Sequence, residues 1–99
     1  MSILVIIKVP ADTDKFRAFI EANAAQMEAV AERSRTMGGL HHVFSLGDNV
    51  ITAADQWDSM ASFEKFFSDP EIAEIMANAG ATGPPQIEVY EVVDSLLAF

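Results

Sequence analysis

Read for the alternation of apolar and polar positions, the chain divides into six segments. Ser2 to Val9 is a run of Ile, Val and Leu, the pattern of a strand buried on both faces, and Pro10 ends it. From Asp12 or Thr13, either an acceptable N-cap, Phe16, Phe19, Ile20, Asn23, Met27, Val30, Ser34 and Met37 recur at spacings of three and four. That stripe predicts one long amphipathic helix, stopped by Gly38-Gly39. Gly39 to Trp57 then alternates as two short strands around Gly47-Asp48-Asn49-Val50. Asp58-Ser59 caps a short helix with Met60, Phe63, Phe66 and Phe67 inward, and Asp69-Pro70 restarts it with Asp as N-cap and Pro at the first helical position. Ile72, Ile75, Met76 and Ala79 carry its apolar face to Gly80, and after the turn-rich Ala81 to Pro85 the last strand runs from Gln86 to Val93, leaving an apolar tail at Leu96 to Phe99.

The hairpin is the segment richest in chemistry. Asp and Asn tolerate positive φ, so Asp48 and Asn49 suit the central positions of a two-residue turn. Gly47 then pairs with Val50, which sets Phe44 opposite Ala53, His42 opposite Asp55 and Leu40 opposite Trp57. Opposed side chains share a face. One face therefore holds Leu40, His42, Phe44, Leu46, Ile51, Ala53, Asp55 and Trp57; the other holds His41, Val43, Ser45, Thr52, Ala54 and Gln56. A slip of one residue would exchange His41 for His42.

The element order βαββαβ predicts an α+β, ferredoxin-like fold, a four-stranded antiparallel sheet with its helices on one face. Helices on one side leave the other uncovered, although the first strand is apolar on both faces and the hairpin adds Val43, Thr52 and Ala54 to the open side. A patch of several hundred Å² marks an interaction surface. A homodimer closing two such sheets into a barrel is expected, with Leu96 to Phe99 reaching across.

Composition narrows the function. At 99 residues, 51% of them hydrophobic, the chain is read as a single domain over 1–99. Its net charge of −9 and six scattered basic residues give no cationic surface for a phosphate backbone, so nucleic acid is not an expected partner. The absence of Cys excludes disulfides and thiolate metal ligation and fits a cytoplasmic protein. The opening apolar run is too short for a membrane span and lacks a basic leader, so neither membrane insertion nor secretion is expected. His41 and His42 are adjacent on a strand and face opposite ways, so they do not share a metal ion.

With Gly39-Leu40-His41-His42, then Asp55-Gln56-Trp57-Asp58-Ser59, then Phe63-x-x-Phe66-Phe67-x-Asp69-Pro70, the chain resembles the dimeric α+β barrel superfamily. Within it, the chain is most similar to small single-domain relatives of the antibiotic biosynthesis monooxygenases. That resemblance implies a homodimer with a ligand cleft between helices and sheet. It also implies an activity drawn from cofactor-free oxygenation of polycyclic phenols, haem degradation, polyketide cyclisation or lysis, or no reaction at all; fold does not choose among them. Haem degradation is excluded residue by residue. The positions matching that branch's pocket Trp and axial His are Phe66 and Met76, and its first-strand Asn falls at Ile6 or Ile7. Without an axial imidazole, iron is not held in that manner. No Gly-rich phosphate loop is present either, so no cofactor is expected.

His42 facing Asp55 is the sharpest chemical feature, since a carboxylate that orients an imidazole fixes its tautomer, as a general base requires. The plainer reading is a structural hydrogen-bonded pair. Six further residues are candidates for substrate binding. His41 would lie on the dimer face. Asn23 interrupts the helical stripe and is either a cleft amide or a buried amide bonded to backbone. Trp57, Phe66 and Met76 read first as core, with Phe63, Phe67 and Met27, but also suit a cleft for a flat ligand. Tyr90, on the last strand, is a possible acid or hydroxyl anchor. Two functions follow: a cofactor-independent enzyme of the monooxygenase or cyclase type acting on a small aromatic or polyketide-like molecule, with His42 as base and Asp55 orienting it, or a non-catalytic dimeric small-molecule binder or stress-associated module. A buried, dry cleft containing His42 favours the first, and one filled by Phe and Met side chains the second.

Overall fold

The computed structural model describes residues 1–95 and 99; the tail contact expected of Leu96 to Phe99 rests on residues 96–98, outside those described. The elements are β1 (Ile3–Pro10), α1 (Thr13–Ala22), α2 (Ala24–Thr36), β2 (Gly39–Gly47), β3 (Val50–Trp57), α3 (Met60–Phe67), α4 (Pro70–Asn78) and β4 (Gln86–Glu91). The four strands form one sheet in the order β2-β3-β1-β4, with every neighbouring pair antiparallel. This is the α+β, ferredoxin-like arrangement that the element order predicts. Among the described residues, no helix is long and apolar enough to cross a membrane.

Two helices replace the single one expected before the hairpin. Asn23 breaks the run at φ −123°, ψ 33°, and its side-chain Nδ2 donates to the Phe19 carbonyl at 3.0 Å, where the backbone N–H of the same residue also donates at 2.9 Å. A short amide that competes for backbone partners in this way interrupts a helix. The caps otherwise follow the sequence. Asp12 accepts from the Asp14 and Lys15 amides, Ser59 from the Ser62 amide, and Asp69 from the Glu71 amide, with Pro70 opening α4. Gly38 leaves α2 at φ 111°, a conformation that costs a residue with a Cβ. The last strand ends at Glu91, short of the expected Val93, because its partner β1 begins at Ile3, directly opposite.

The sheet's two faces separate cleanly. Val5, Ile7 and Val9 of β1 and Ile51, Ala53 and Trp57 of β3 are buried with Phe16, Phe63, Phe66 and Ile72 from the helices and Ala79 just past α4. Arg33 of α2 ties that layer together: its Nη1 meets Glu71 at 2.8 Å, its Nη2 lies 3.5 Å from Asp69, and the guanidinium sits 5.8 Å over the Phe66 ring. On the opposite face Val43 is 60% exposed, Leu4, Ile6 and Ala54 are half-buried, and polar contacts lie between them. Ser45 bonds Thr52, Gln56 donates to Ser2 at 3.1 Å, Lys8 pairs with Glu88 at 3.6 Å, and Tyr90 donates to Glu88. The first strand, expected to be covered on both faces, is thus covered on one within the subunit.

Candidate functional site

The hairpin keeps the register read from its turn along most of its length. Asn49 takes positive φ, Gly47 opposes Val50, Phe44 opposes Ala53 and His42 opposes Asp55. The exception is at the open end. Leu40, expected opposite Trp57, is instead an extra residue: Gly39 opposes Trp57, His41 opposes Gln56, and the ladder shifts between them as a β-bulge. Nothing in the residue types of Gly39-Leu40-His41 signals that insertion.

Asp55 is only 7% exposed and receives two donors. His42 Nδ1 hydrogen-bonds its Oδ1, and Trp57 Nε1 donates to Oδ2 at 3.5 Å. A buried carboxylate needs such partners. With the carboxylate accepting at Nδ1, that nitrogen carries the proton and the Nε2 lone pair is free to accept another. The imidazole edge meets the Phe44 ring at 4.3 Å between centroids with the planes perpendicular, and Phe44 in turn packs edge-on to Phe16 at 5.2 Å. The His42 side chain remains 42% exposed, so the imidazole is fixed on one side and open on the other.

What it opens onto is a cleft of about 390 Å³ between α2 and the hairpin, within the range of small-molecule sites. Val30, Ala31, Ser34 and Arg35 form the helical wall, and Gly39, Leu40, His41, His42, Phe44, Asp55 and Trp57 the sheet side, with Phe66 and Ile72 behind. A second, narrower cavity of about 120 Å³ also borders His42 and Asp55 and runs towards Met76. The structure thus brings together six of the residues singled out in the sequence: His41, His42, Asp55, Trp57, Phe66 and Met76. It does not bring Asn23 or Tyr90 to either cavity. Asn23 is spent on the α1–α2 break, the backbone-bonded alternative considered for it. Tyr90 pairs with Leu4, on the far side of the sheet, where its hydroxyl donates to Glu88. That bond raises the Tyr90 pKa above the ordinary 10.0 and, with Lys8 nearby, lowers that of Glu88 below 4.5.

Sequence reasoning missed Ser34 and Arg35 as cleft residues. Ser34 carried a usable signal, because it interrupts the apolar stripe as Asn23 does; its Oγ donates to the Ala31 carbonyl at 2.7 Å. Arg35, paired with Glu32 at 2.6 Å, carried none. Among the described residues, no three His, Asp or Glu side chains converge in a metal-binding group.

No sequence-family profile matches the chain, and no curated protein matches it. Solved structures do share the fold. A monooxygenase from the gene ActVA-Orf6 of Streptomyces coelicolor, in complex with the ligand Nanaomycin D, superposes with a TM-score of 0.68 at 20% identity, covering 99% of this chain and 93% of that one. SnoaB, a cofactor-independent oxygenase from Streptomyces nogalater, gives 0.59 at 14% identity and 98% of both chains. NE2512, a protein of unknown function from Nitrosomonas europaea, gives 0.69 at 19% identity, covering 99% of this chain and 95% of that one. The chain has the fold of the antibiotic biosynthesis monooxygenase-like proteins.

Proposed function

We propose that this protein is a cofactor-independent enzyme of the antibiotic biosynthesis monooxygenase type, acting on a small aromatic or polyketide-like molecule held in the cleft between α2 and the hairpin. One observation carries the reading: the cleft walled by the His42–Asp55 pair is not filled by Phe and Met side chains, although it is open on the His42 side rather than buried and dry, and of the pair Asp55 alone is buried. Asp55 holds the imidazole by Nδ1, and Nε2 removes a proton from a phenolic hydroxyl or from carbon next to a carbonyl. The resulting carbanion is itself the reductant. It passes electrons to O₂ and forms a C–O bond. The hydroperoxide then loses its outer oxygen as water as the carbon's remaining hydrogen leaves as a proton, the inner oxygen stays, and a methylene becomes a carbonyl. Without O₂ the same carbanion closes a ring by adding to a carbonyl carbon of the same molecule. Two structural neighbours described as a monooxygenase and a cofactor-independent oxygenase support the first outcome. Trp57 and Phe66 offer flat walls for the ring system, and His41, at the bulge, offers a second imidazole at the rim.

The test is His42→Ala, assayed by oxygen uptake and by deuterium exchange at the acidic carbon, with polycyclic phenols and 1,3-dicarbonyl compounds as probes. Loss of roughly 10² to 10⁴ of the parent rate, with the fold retained, is expected. A folded His42→Ala protein that turns over these probes as the parent does sinks the proposal and leaves the non-catalytic binding module. The open sheet face, with Val43, Leu4, Ile6 and Ala54, supports a homodimer in which this face meets its twin, and the cytoplasm is proposed as its place on the lack of Cys alone.

A further inference from the structure

We propose that the narrow cavity beside His42 is a subsite for a short alkyl arm, so that the substrate is an acidic phenol or enol carrying such an arm. This rests on the reading of His42 as the base. The two cavities are not independent: His42, Asp55, Phe44, Phe66 and Ile72 border both. A molecule whose hydroxyl meets His42 therefore has a wide space of about 390 Å³ on one side and a narrow one of about 120 Å³ on the other.

Their chemistry differs. The wide cleft has Ser34, Arg35 and His41 on its walls, which suits a ring bearing polar substituents. Apart from His42 and Asp55, the narrow cavity is apolar, with Ile7, Val9, Ile51, Ala53, Phe67 and Met76 around it. Asp55 already receives His42 and Trp57 at its two oxygens, so a water entering the narrow cavity finds few of the two to four polar partners it needs. The space exists because Ala53 stands where its neighbours are large: it faces Phe44 on β2 and Ile7 on β1, and a methyl leaves a gap that Met76 of α4 borders without filling. A dry 150 Å³ cavity admits a six-carbon ring, so by proportion this one holds about four or five carbon atoms.

The experiment is a series of phenol and 4-alkylphenols, from methyl to heptyl, titrated against the quenching of Trp57. That residue is the chain's single Trp, 2% exposed and in the wall of the wide cleft. Affinity should rise about fourfold for each methylene buried and stop rising at about five carbons. Met76→Ala should move that break to longer chains and Met76→Phe to shorter ones. Phenols that bind without dependence on chain length, or a break that neither variant moves, overturn the subsite and leave His42 as base intact. No binding by any member of the series overturns both.

Discussion

If Asp55 is held by His42 as the geometry requires, the two residues are energetically coupled, and a double-mutant cycle measures by how much. His42→Ala removes a charge-assisted bond and leaves a carboxylate that is 7% exposed with only the 3.5 Å contact from Trp57. An orphaned buried polar group costs about 1–3 kcal/mol. The lower part of that range applies, about 1–2 kcal/mol, because the His42 side chain is 42% exposed and water from the cleft reaches the vacated position. For a chain of this size that lowers the melting temperature by about 4–16 °C. Asp55→Asn keeps the shape and removes the charge, so adding it to His42→Ala relieves the penalty: the double variant should be more stable than the sum of the single losses by about 1 kcal/mol. Thermal and urea unfolding of the parent and three variants, all at pH 7, supply the cycle. Additivity to within about 0.5 kcal/mol would refute the coupling, and with it the claim that Asp55 holds the imidazole in place for chemistry. The cycle is independent of turnover, so a coupled pair and a failed His42→Ala activity assay would together identify a stitch in the hairpin.

Two further outcomes concern the open face of the sheet. Tyr90 is the chain's single Tyr, so its ultraviolet titration is unambiguous; it should ionise above the ordinary 10.0 and return towards it in Glu88→Gln. The stability this pair contributes is present between the two ordinary values: it is lost as pH falls through the lowered Glu88 value, below 4.5, and again as pH rises through the raised Tyr90 value, above 10.0. Light scattering after gel filtration at about 10 μM, far above a nanomolar dissociation constant, should give twice the chain mass, and Val43→Lys should shift it towards one chain; a parent already at the mass of one chain removes the two-sheet dimer.

What the sequence made legible was what local chemistry dictates. The element order follows from periods of two and three-to-four, and the His42–Asp55 pairing follows from the turn preference of Asp48-Asn49, which propagates through a regular ladder. The features it hid depend on competition between partners. Asn23 reads as a polar interruption of an apolar stripe, bonded to backbone or facing the cleft, but its spacing does not show that taking the Phe19 carbonyl splits the helix. Tyr90 reads as an available hydroxyl until strand pairing places it opposite Leu4, on the face turned from the cleft. The alternation of β4 admits either face for Tyr90, and only its register with β1 decides. Arg35 joins the cleft because α2 lies across the hairpin, a tertiary fact with no trace in the spacing of charges.

The bulge at Leu40 is the feature on which the cleft's shape turns, and it makes an unusual prediction. In a regular hairpin the Leu40 side chain would stand opposite Trp57, on the helix side, where the wide cleft is. Here Gly39 takes the place opposite Trp57 while Leu40, displaced at the bulge, still borders the cleft; a Cβ on Gly39 would come within 2.8 Å of the Ser34 carbonyl, so α2 lies close against the strand at a point with no side chain. Removing one residue from a strand normally carries every residue beyond it to the other face. Deleting Leu40 does not, because Gly39 and His41 already oppose the consecutive residues Trp57 and Gln56; the deletion makes the ladder regular and leaves both histidines on their present faces. Deleting Val43 instead swings His42 to the open face and breaks its bond to Asp55. The protein lacking Leu40 should therefore melt cooperatively and keep ligand quenching of Trp57, while the protein lacking Val43 should lose both. Circular dichroism melts of the two, followed by titration with the alkylphenols, make the comparison. If both deletions unfold alike, the extra residue is not where the pairing puts it, and the account of how the cleft beside Trp57 stays open is wrong.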